Sequence, residues 1–358
     1  MVKSLKCLTC GGDLQFNPSL QKWKCEWCDS EFTKEDLGDS LTDAPEFCTD
    51  TAVCPFSEEE IQVFKCSYCG AEVVTDCNTA ATMCCYCQRP IALGARLMGK
   101  FKPCVLIPFQ NTKDQAMQAF KNYLKDKKFV PNSYLDNQNI EKLTGVYIPF
   151  WIYKGEVVFN MQGEGDKVKI KKTANHIVQE TSTFSVKREG KITIETLPVD
   201  ASSRTPNEIM DSIEPFDFKL LRDFNTHYLS GFLAEKYDEE EESLYSRAKQ
   251  RFEGSAENRI RDSLKEYKTV RRSIDKKKIE NMSSKYGLLP VWLLYSNYEG
   301  NQYVFAMNGQ SGKLIGDLPI DKGKVRKYSI LMFLMSSIGV SIVTFILIWF
   351  LTTPNGVY

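Results

Sequence analysis

The sequence predicts a multidomain α+β protein with two small N-terminal metal modules, a discontinuous β-rich domain carrying a helical insertion, and one C-terminal transmembrane helix. Three observations lead to this fold class. Two blocks of four cysteines share one spacing, a run of 24 uncharged residues lies near the C-terminal end, and alternating strand-like and helix-like segments fill the chain between them. At 358 residues the chain is longer than one ordinary domain, and length alone predicts roughly two or three.

The composition excludes several classes of protein. Hydrophobic residues make up 42% and charged residues 26%, which is typical of globular proteins. The 46 basic and 46 acidic residues balance, so no global positive field favours nucleic acid. The 13 cysteines are odd in number, and no apolar leader precedes Cys7. We therefore expect a reducing compartment with metal-bound thiolates rather than a disulfide framework.

The cysteine spacing is the most specific chemical signal. Each block contains two Cys-x2-Cys pairs separated by fourteen residues. Two tight turns can direct four thiolates at one Zn2+ about 2.3 Å away, and such a shell leaves no open position for catalysis. We predict two structural Zn2+ ions. Their predicted ligands are Cys7, Cys10, Cys25 and Cys28 in the first block, and Cys66, Cys69, Cys84 and Cys87 in the second. Cys85 is an alternative to Cys84, which preserves the two-residue spacing.

The modules have predictable boundaries. The first covers 1–35 and contains two short strands on either side of a turn at Asn17–Ser19. Residues 36–60 contain glycine, prolines and a run of three glutamates, which is typical of a linker. The second module covers 61–98.

The cysteine blocks resemble a known family. The stretch Cys7-Leu-Thr-Cys10-Gly and its partner Trp23-Lys-Cys25-Glu-Trp-Cys28 resemble a zinc ribbon of the transcription factor IIB type, and the second block is similar. Further motifs resemble bacterial membrane proteins that contain zinc ribbons and are sometimes labelled primosomal helicase-like: Val146–Trp151, Tyr228–Phe232, Pro290–Leu294 and Phe305–Lys313. The resemblance implies a membrane-anchored zinc-ribbon protein and carries no residue-level activity with it.

The middle of the chain predicts a domain made from two separate segments. Residues 99–204 form its first part, 205–287 a helical insertion and 288–322 the strands that complete it. A helix is predicted from Lys113 to about 127, and a long charged helix over about 239–280. The sequences Ile148-Pro-Phe-Trp and Leu289-Pro-Val-Trp repeat nearly the same proline–tryptophan pattern. We therefore expect these two strands to pair or to occupy related positions.

The uncharged run from Tyr328 to Leu351 predicts a membrane span, because a helix of this length crosses a hydrocarbon core of about 30 Å. Lys322, Lys324, Arg326 and Lys327 precede it, and no charged residue follows it. This asymmetry predicts a single-pass protein of the cell membrane with its N-terminal domains in the cytoplasm.

The sequence contains no recognisable catalytic motif, so we expect a protein that is not an enzyme. The stretch Gly309–Lys313 is too short for a phosphate-binding loop, has no hydroxyl after Lys313, and is better interpreted as a hairpin turn. The two histidines, His176 and His227, lie outside known metal-ligand motifs.

Two functions remain. The ribbons could bind an unidentified protein partner as an interaction or scaffold module, or they could bind nucleic acid and tether it to the membrane. Lysines beside Trp23 and Trp27 favour nucleic acid, since such mixtures stack bases and bind phosphates. Acidic residues cancel this charge within the same module, so the protein-interaction function is preferred.

Overall fold

The structure is a computed structural model that describes residues 5–38, 102–125, 127–132, 143–172 and 176–352, together with four short strands between 62 and 92. Within these residues the protein is a mixed α/β molecule. It has one large sheet, a few helices, a cysteine cluster near the N-terminus and one long apolar helix at its C-terminal end. The predicted linker beyond Gly38 lies outside the described residues.

The N-terminal module is a three-stranded antiparallel sheet, which confirms the two strands and the turn predicted there. The turn forms because the Asn17 side chain accepts hydrogen bonds from the backbone N–H groups of Ser19 and Leu20, at 3.0 and 3.2 Å. Its elements are β1 (Leu14–Asn17), β2 (Lys22–Cys25), β3 (Glu31–Phe32) and the short helix α1 (Lys34–Leu37).

A ten-stranded sheet of mixed pairing holds most of the remaining strands. Its three long strands are β9 (Thr144–Lys172), β10 (Ile177–Asp200) and β13 (Thr269–Tyr298). The shorter strands are β6 (Thr79–Met83), β7 (Pro90–Ala92), β8 (Val105–Leu106), β11 (Arg222–Asp223), β12 (Leu233–Glu235), β14 (Asn301–Asn308) and β15 (Leu314–Gly316). The main order is β11-β8-β13-β9-β12-β6-β7, with β10 on β9, β14 on β13, and β15 on β14.

Two of these strands come from an unexpected place. β6 and β7 belong to the segment predicted as the second ribbon, and they join the large sheet because β6 pairs with β12. The other two described strands of that segment, β4 (Gln62–Lys65) and β5 (Glu72–Thr75), form a separate antiparallel pair.

The two strand segments with the similar proline–tryptophan pattern pair directly, as expected. In the antiparallel register of β9 and β13, Ile148 lies opposite Leu289 and Tyr147 lies opposite Pro290. Alternate residues point to opposite faces of a strand. Tyr147 therefore packs in one hydrophobic cluster, while Ile148 and Leu289 pack in a second cluster on the other face. The sheet is buried on both faces where these two strands cross the body of the protein.

Four further α-helices accompany the large sheet among the described residues. They are α2 (Lys113–Lys125), α3 (Asn207–Ser212), α4 (Glu241–Asp262) and α5 (Lys322–Thr352), with two short 3-10 helices at Phe218–Leu220 and Thr226–Leu229. α2 begins as predicted, because the Thr112 and Gln115 side chains each accept a hydrogen bond from the other's backbone N–H. Its buried residues Ala116, Phe120 and Leu124 recur every four positions and face the core.

The long charged helix predicted over about 239–280 is wrong in its second half. α4 ends at Asp262, and the chain from Thr269 onward is the strand β13. The basic residues that were expected to complement a helix dipole instead form ion pairs with acidic side chains of neighbouring elements. Arg271 pairs with Asp166 of β9 at 2.6 Å, and Arg272 pairs with Glu257 of α4 at 2.6 Å. Long-range strand pairing therefore overrides the local helical tendency of a charged segment.

The outer halves of the three long strands form an arm, defined here as residues 156–172 of β9, 177–194 of β10 and 269–280 of β13. At about 3.3 Å per residue, the β9 portion of the arm is about 55 Å long. The end of α4 packs on this arm through its own small hydrophobic cluster, composed of Met161, Val186, Ile260 and Leu264.

The C-terminal helix α5 is the one helix among the described residues that is long and apolar enough to cross a membrane. None of its apolar window is buried inside the protein. The helix contains the whole span predicted at 328–351 and starts six residues before it, at Lys322.

Candidate metal centre

The two cysteine pairs of the first block lie in turns with the same backbone geometry. The Gly11 N–H donates to the Cys7 carbonyl at 2.9 Å, and the Asp29 N–H donates to the Cys25 carbonyl at 3.0 Å. The residue after each pair has a positive φ angle, 72° at Gly11 and 55° at Asp29. Glycine and aspartate are among the few residues that adopt this conformation readily. The two turns are therefore equivalent supports, each of which presents two sulfurs.

The four sulfurs of the first block converge. The Sγ atoms of Cys7, Cys10, Cys25 and Cys28 all lie within 4.8 Å of one another. The distance is 3.5 Å both from Cys7 to Cys28 and from Cys10 to Cys25. A tetrahedral ion with metal–sulfur bonds of about 2.3 Å requires sulfurs about 3.8 Å apart. The predicted ligands of the first block are thus brought together in an arrangement that could hold one metal ion.

Glycine is required next to this cluster. A β-carbon at Gly12 would lie 2.8 Å from Cδ1 of Trp27 and 3.3 Å from the sulfurs of Cys10 and Cys25. Because the indole and the two thiols have no room for it, a side chain at this position would displace the cluster. The sequence pattern alone does not reveal this requirement at Gly12, because the short distance from Gly12 to the sulfurs arises only in the folded structure.

The surroundings favour thiolates at two of the four positions. Hydrogen bonds with the Ser30 side chain and backbone lower the pKa of Cys28 to about 6. Burial opposes ionisation of Cys7, but the backbone N–H groups of Cys10 and Thr9 outweigh it and lower the pKa of the Cys7 thiol. At Cys10 the backbone of Gly12 favours the thiolate, yet the neighbouring thiols of Cys28 and Cys25 raise its pKa to about 12. Four thiolates at this distance repel one another, and a bound cation relieves that repulsion.

The N-terminal module is docked onto the body of the protein at the 3-10 helix Thr226–Leu229. Trp23 is only 2% exposed and packs against Phe16 and Tyr228, with ring centroids 5.3 and 5.2 Å away. Its indole N–H donates to the carbonyl of His227 at 3.3 Å. Cys7, Cys25, Phe16 and Trp23 therefore belong to the main hydrophobic core of the protein.

Two hydrogen bonds also join the N-terminal module to the rest of the protein. The Gln21 side-chain amide donates to the Phe109 carbonyl at 2.8 Å, and the Ser230 hydroxyl donates to the Leu14 carbonyl at 3.1 Å. Sequence reasoning missed the docking role of Gln21, Tyr228 and Ser230, because nothing in the local pattern connects residues 88 to 216 positions apart.

The second cysteine block lies outside the described residues. This applies to Cys66, Cys69, Cys84 and Cys87, and to the alternative ligand Cys85. The described strand β4 ends at Lys65, directly before Cys66, and β6 ends at Met83, directly before Cys84. Cys104 is described and exposed, and it takes no part in the cluster of the first block.

Three of the four described lysines of the first module are paired with acidic residues. Lys6 lies 2.6 Å from Asp13, and Lys24 lies 2.9 Å from Asp29. Lys22 also reaches a carboxylate, that of Glu31 at 3.5 Å. Trp27 is 68% exposed, whereas Trp23 is buried in the docking interface. Trp23 therefore packs within the protein and is not accessible for stacking on bases, whereas Trp27 is accessible.

The segment that most resembles a phosphate-binding loop is a hairpin turn, as predicted. Gly309–Lys313 connects β14 to β15, and Gly312 has a φ angle of 75°. The Asn308 side chain accepts hydrogen bonds from the backbone N–H groups of Gln310 and Ser311, at 2.9 and 3.0 Å. These bonds close the turn and occupy the backbone donors that a phosphate would need.

Comparison with known proteins identifies a relative of nearly the same length. The Bacillus subtilis (strain 168) protein described as "Uncharacterized protein YdjG" is 33% identical over 325 residues, which cover 91% of this chain and 92% of the relative. No family model matches the chain. No solved structure matches it either.

Proposed function

The chain belongs to the family of the Bacillus subtilis protein YdjG, and we propose that it is a non-catalytic, membrane-anchored zinc-ribbon protein. In this proposal the ribbons act on the cytoplasmic side as a protein-interaction or scaffold module. The conclusion combines the four-sulfur cluster, its place in the main core of the protein and the apolar helix α5.

Zinc is the metal proposed for the first cluster. Four thiolates in a tetrahedral arrangement suit Zn2+, and a complete sulfur shell leaves no position where water or substrate could be activated. A structural ion is consistent with the position of the cluster, since Cys7 and Cys25 are buried in the main core. A second Zn2+ in the second block is proposed from the identical spacing of its four cysteines.

The observation that carries the choice between partners is the burial of Trp23. A nucleic-acid-binding ribbon needs exposed aromatic rings and uncompensated positive charge. Here Trp23 is packed against the body of the protein, and Lys6, Lys22 and Lys24 each face a carboxylate. A protein partner is therefore preferred over nucleic acid. The exposed Trp27 is the feature that supports the alternative, a membrane-tethered nucleic-acid-binding protein.

Membrane anchoring is proposed from α5. Its exposed apolar surface would be costly in water and is satisfied in lipid, where a helix also pairs all its backbone groups internally. The excess of basic residues between Lys322 and Lys327 supports a cytoplasmic position for this end of the helix in the proposal.

The metal part of the proposal is tested by elemental analysis of the full chain purified in detergent. We expect two Zn2+ per chain, and one Zn2+ when Cys7 and Cys10 are both changed to serine. Cys104→Ser is the matched control and should leave the content unchanged, because Cys104 lies outside the cluster. A zinc content unaffected by the double substitution would overturn the assignment of the first site.

The choice of partner is tested by titrating the same preparation with labelled single- and double-stranded DNA and RNA at two salt concentrations. The proposal predicts weak binding in every case. Tight binding that falls steeply with salt, and that is lost in Trp27→Ala, would favour the nucleic-acid alternative. Membrane anchoring is tested separately by resistance to alkaline extraction, which a chain ending at residue 321 should lose.

A further inference from the structure

Two basic segments that are far apart in the sequence meet where α5 leaves the body of the protein. The backbone N–H of Asp321 donates to the Phe129 carbonyl at 2.8 Å. The Lys324 side chain donates to the Val130 carbonyl and to the Asn132 side chain, both at 2.6 Å. These bonds hold the segment after α2 against the first turn of α5.

The meeting point lies at the beginning of the uncharged stretch. Tyr328 is the first residue of that stretch, and its ring packs edge-on against Phe129 with centroids 5.4 Å apart. The Lys128 ammonium lies 6.0 Å from the same ring. Both aromatic rings are partly exposed, at 36% for Phe129 and 41% for Tyr328. Exposed aromatic rings at the end of an apolar span are typical of the boundary between headgroups and acyl chains.

The basic side chains around this point form a collar. The term refers to six exposed residues: Lys125, Lys127, Lys128, Lys322, Arg326 and Lys327. Among the described residues, no carboxylate forms an ion pair with any of the six. In the arm, by contrast, Lys167 pairs with Glu266, and Lys171 lies 3.5 Å from Glu180. By sequence, 125–128 and 321–327 contain seven basic and two acidic residues, a net charge of +5.

We propose that the collar binds the headgroups of anionic phospholipids, so that the protein prefers an anionic bilayer surface to a zwitterionic one. The proposal rests on the membrane anchoring proposed above. The basic residues at the start of α5 alone would orient the helix. The additional lysines at and just after the end of α2 belong to the folded domain, so their binding to headgroups would also fix the domain against the membrane.

The chemistry favours lipid over an acidic protein. α5 brings the bilayer to this point, so the headgroups are already at the side chains before any other partner arrives. Lysine side chains are long and flexible, and each one near an anionic surface contributes to binding. The two aromatic rings supply the amphipathic contact that belongs at the same depth.

The test uses the full chain reconstituted into vesicles of equal parts phosphatidylcholine and phosphatidylglycerol. After re-extraction in mild detergent, the lipids retained by the protein are quantified by mass spectrometry. We expect phosphatidylglycerol to be enriched over phosphatidylcholine, on the order of fivefold for each headgroup held by one lysine. High salt during extraction should reduce the enrichment, since the interaction is electrostatic.

Three variants make the result specific. The triple change Lys125→Gln, Lys127→Gln and Lys128→Gln should remove most of the enrichment, and arginine at the same three positions should preserve it. The matched control, Lys169→Gln, Lys171→Gln and Lys172→Gln at the tip of the arm, removes the same charge and should change nothing. Equal lipid ratios in the wild type, or equal losses in both glutamine triples, would overturn the proposal.

Flotation of the same vesicles separates this proposal from the anchoring on which it rests. A chain that does not float with vesicles of either lipid is not membrane-anchored, and the proposed function fails. A chain that floats with both but retains no excess phosphatidylglycerol is anchored, and only the collar proposal fails.

Discussion

The first predicted ribbon and the arm show that continuity of the chain does not predict which residues share a core. The described residues around the predicted ribbon end at Gly38, 106 residues before the first long strand begins at Thr144, yet its Trp23 and Cys25 belong to the main hydrophobic core. The arm is the direct continuation of β9, β10 and β13, yet Met161 and Val186 form a separate small cluster with the end of α4. The predicted ribbon is therefore part of the body, whereas the arm shares the main core only at its inner end, through residues such as Val157 and Ile194.

The two regions also differ in what stabilises them. The interface of the predicted ribbon consists of buried aromatic rings together with the buried Cys7 and Cys25. The arm contains several ion pairs, such as Arg271–Asp166 and Arg272–Glu257, and most of them are partly exposed. Buried aromatic contacts contribute several kcal/mol, whereas exposed ion pairs contribute little. We therefore expect substitutions in the ribbon interface to affect the whole protein, and substitutions in the arm to act locally.

The largest effect is expected for Trp23→Ala. Removal of the indole leaves a cavity between Phe16 and Tyr228, and we expect the free energy of unfolding to fall by about 3 to 5 kcal/mol. Urea denaturation followed by circular dichroism measures it. The exposed Trp27→Ala is the matched control, for which we expect less than about 1 kcal/mol. Equal losses in the two variants would mean that the ribbon is not docked as described.

A pH-dependent effect is expected at Asp200, where β10 ends inside the body. This carboxylate is fully buried; one oxygen accepts from Arg247 at 2.7 Å, and the other has no hydrogen-bond partner among the described residues. Burial raises the pKa of Asp200 to about 6, above its usual value of 3.8. The folded state therefore binds the proton more tightly than the unfolded state, and stability should fall as the pH rises from about 4 to about 6.

The contribution of Asp200 is measured by urea denaturation at several pH values. A shift of this size corresponds to up to about 3 kcal/mol between the two ends of that range. Asp200→Asn should remove this part of the pH dependence, and Asp211→Asn, at a partly exposed partner of the same arginine, should remove less of it. An unchanged pH profile in Asp200→Asn would contradict the prediction.

In the arm, Gly163→Ala should loosen the strands without unfolding the body. A β-carbon at Gly163 would collide with the backbone carbonyl of Arg271 on the neighbouring strand β13. We expect a local cost of about 1 to 3 kcal/mol, seen as faster hydrogen exchange of arm amides. Gly254→Ala on α4 is the control, because its β-carbon meets nothing within 4 Å and alanine favours a helix. Faster exchange throughout the body would show that the arm is not an independent unit.

The smallest effect is expected for Glu257→Gln at the base of the arm. Hydrogen bonds from Arg272 and Lys277 lower the pKa of Glu257 to about 2, from its usual 4.5. Its contribution is present above pH 4.5 and is lost as the pH falls toward 2, so wild type and variant should converge in acid. Because these side chains are partly exposed, we expect less than about 1 kcal/mol at neutral pH. The control is Glu280→Gln, in the more exposed pair with Lys278, which should have no measurable effect on stability. A larger loss of stability in Glu280→Gln than in Glu257→Gln would contradict the prediction.

Local signals allowed several elements to be predicted. The turn at Asn17, the start of α2 at Lys113 and the hairpin turn at Gly309–Lys313 each depend on side chains within a few residues of one another. The convergence of Cys7, Cys10, Cys25 and Cys28 was predictable for the same reason, since two short turns joined by one hairpin bring the pairs together.

Other elements depend on partners far along the chain. The strand β13 was predicted as helix over much of its length, because its pairing with β9 spans more than 100 residues and leaves no local periodic pattern. The docking of Trp23 against His227 and Tyr228 has no local signal either.

By itself, the sequence determined which cysteines form the first cluster and where a membrane could be crossed, since ligand spacing and an uncharged run act over short distances. Only the tertiary structure decided that Trp23 is buried rather than available to a ligand, and that the basic residues around the end of α2 stand beside those at the start of α5. The physical reason is that burial and charge clustering depend on which distant surfaces meet, and that is settled by the packing of the whole chain.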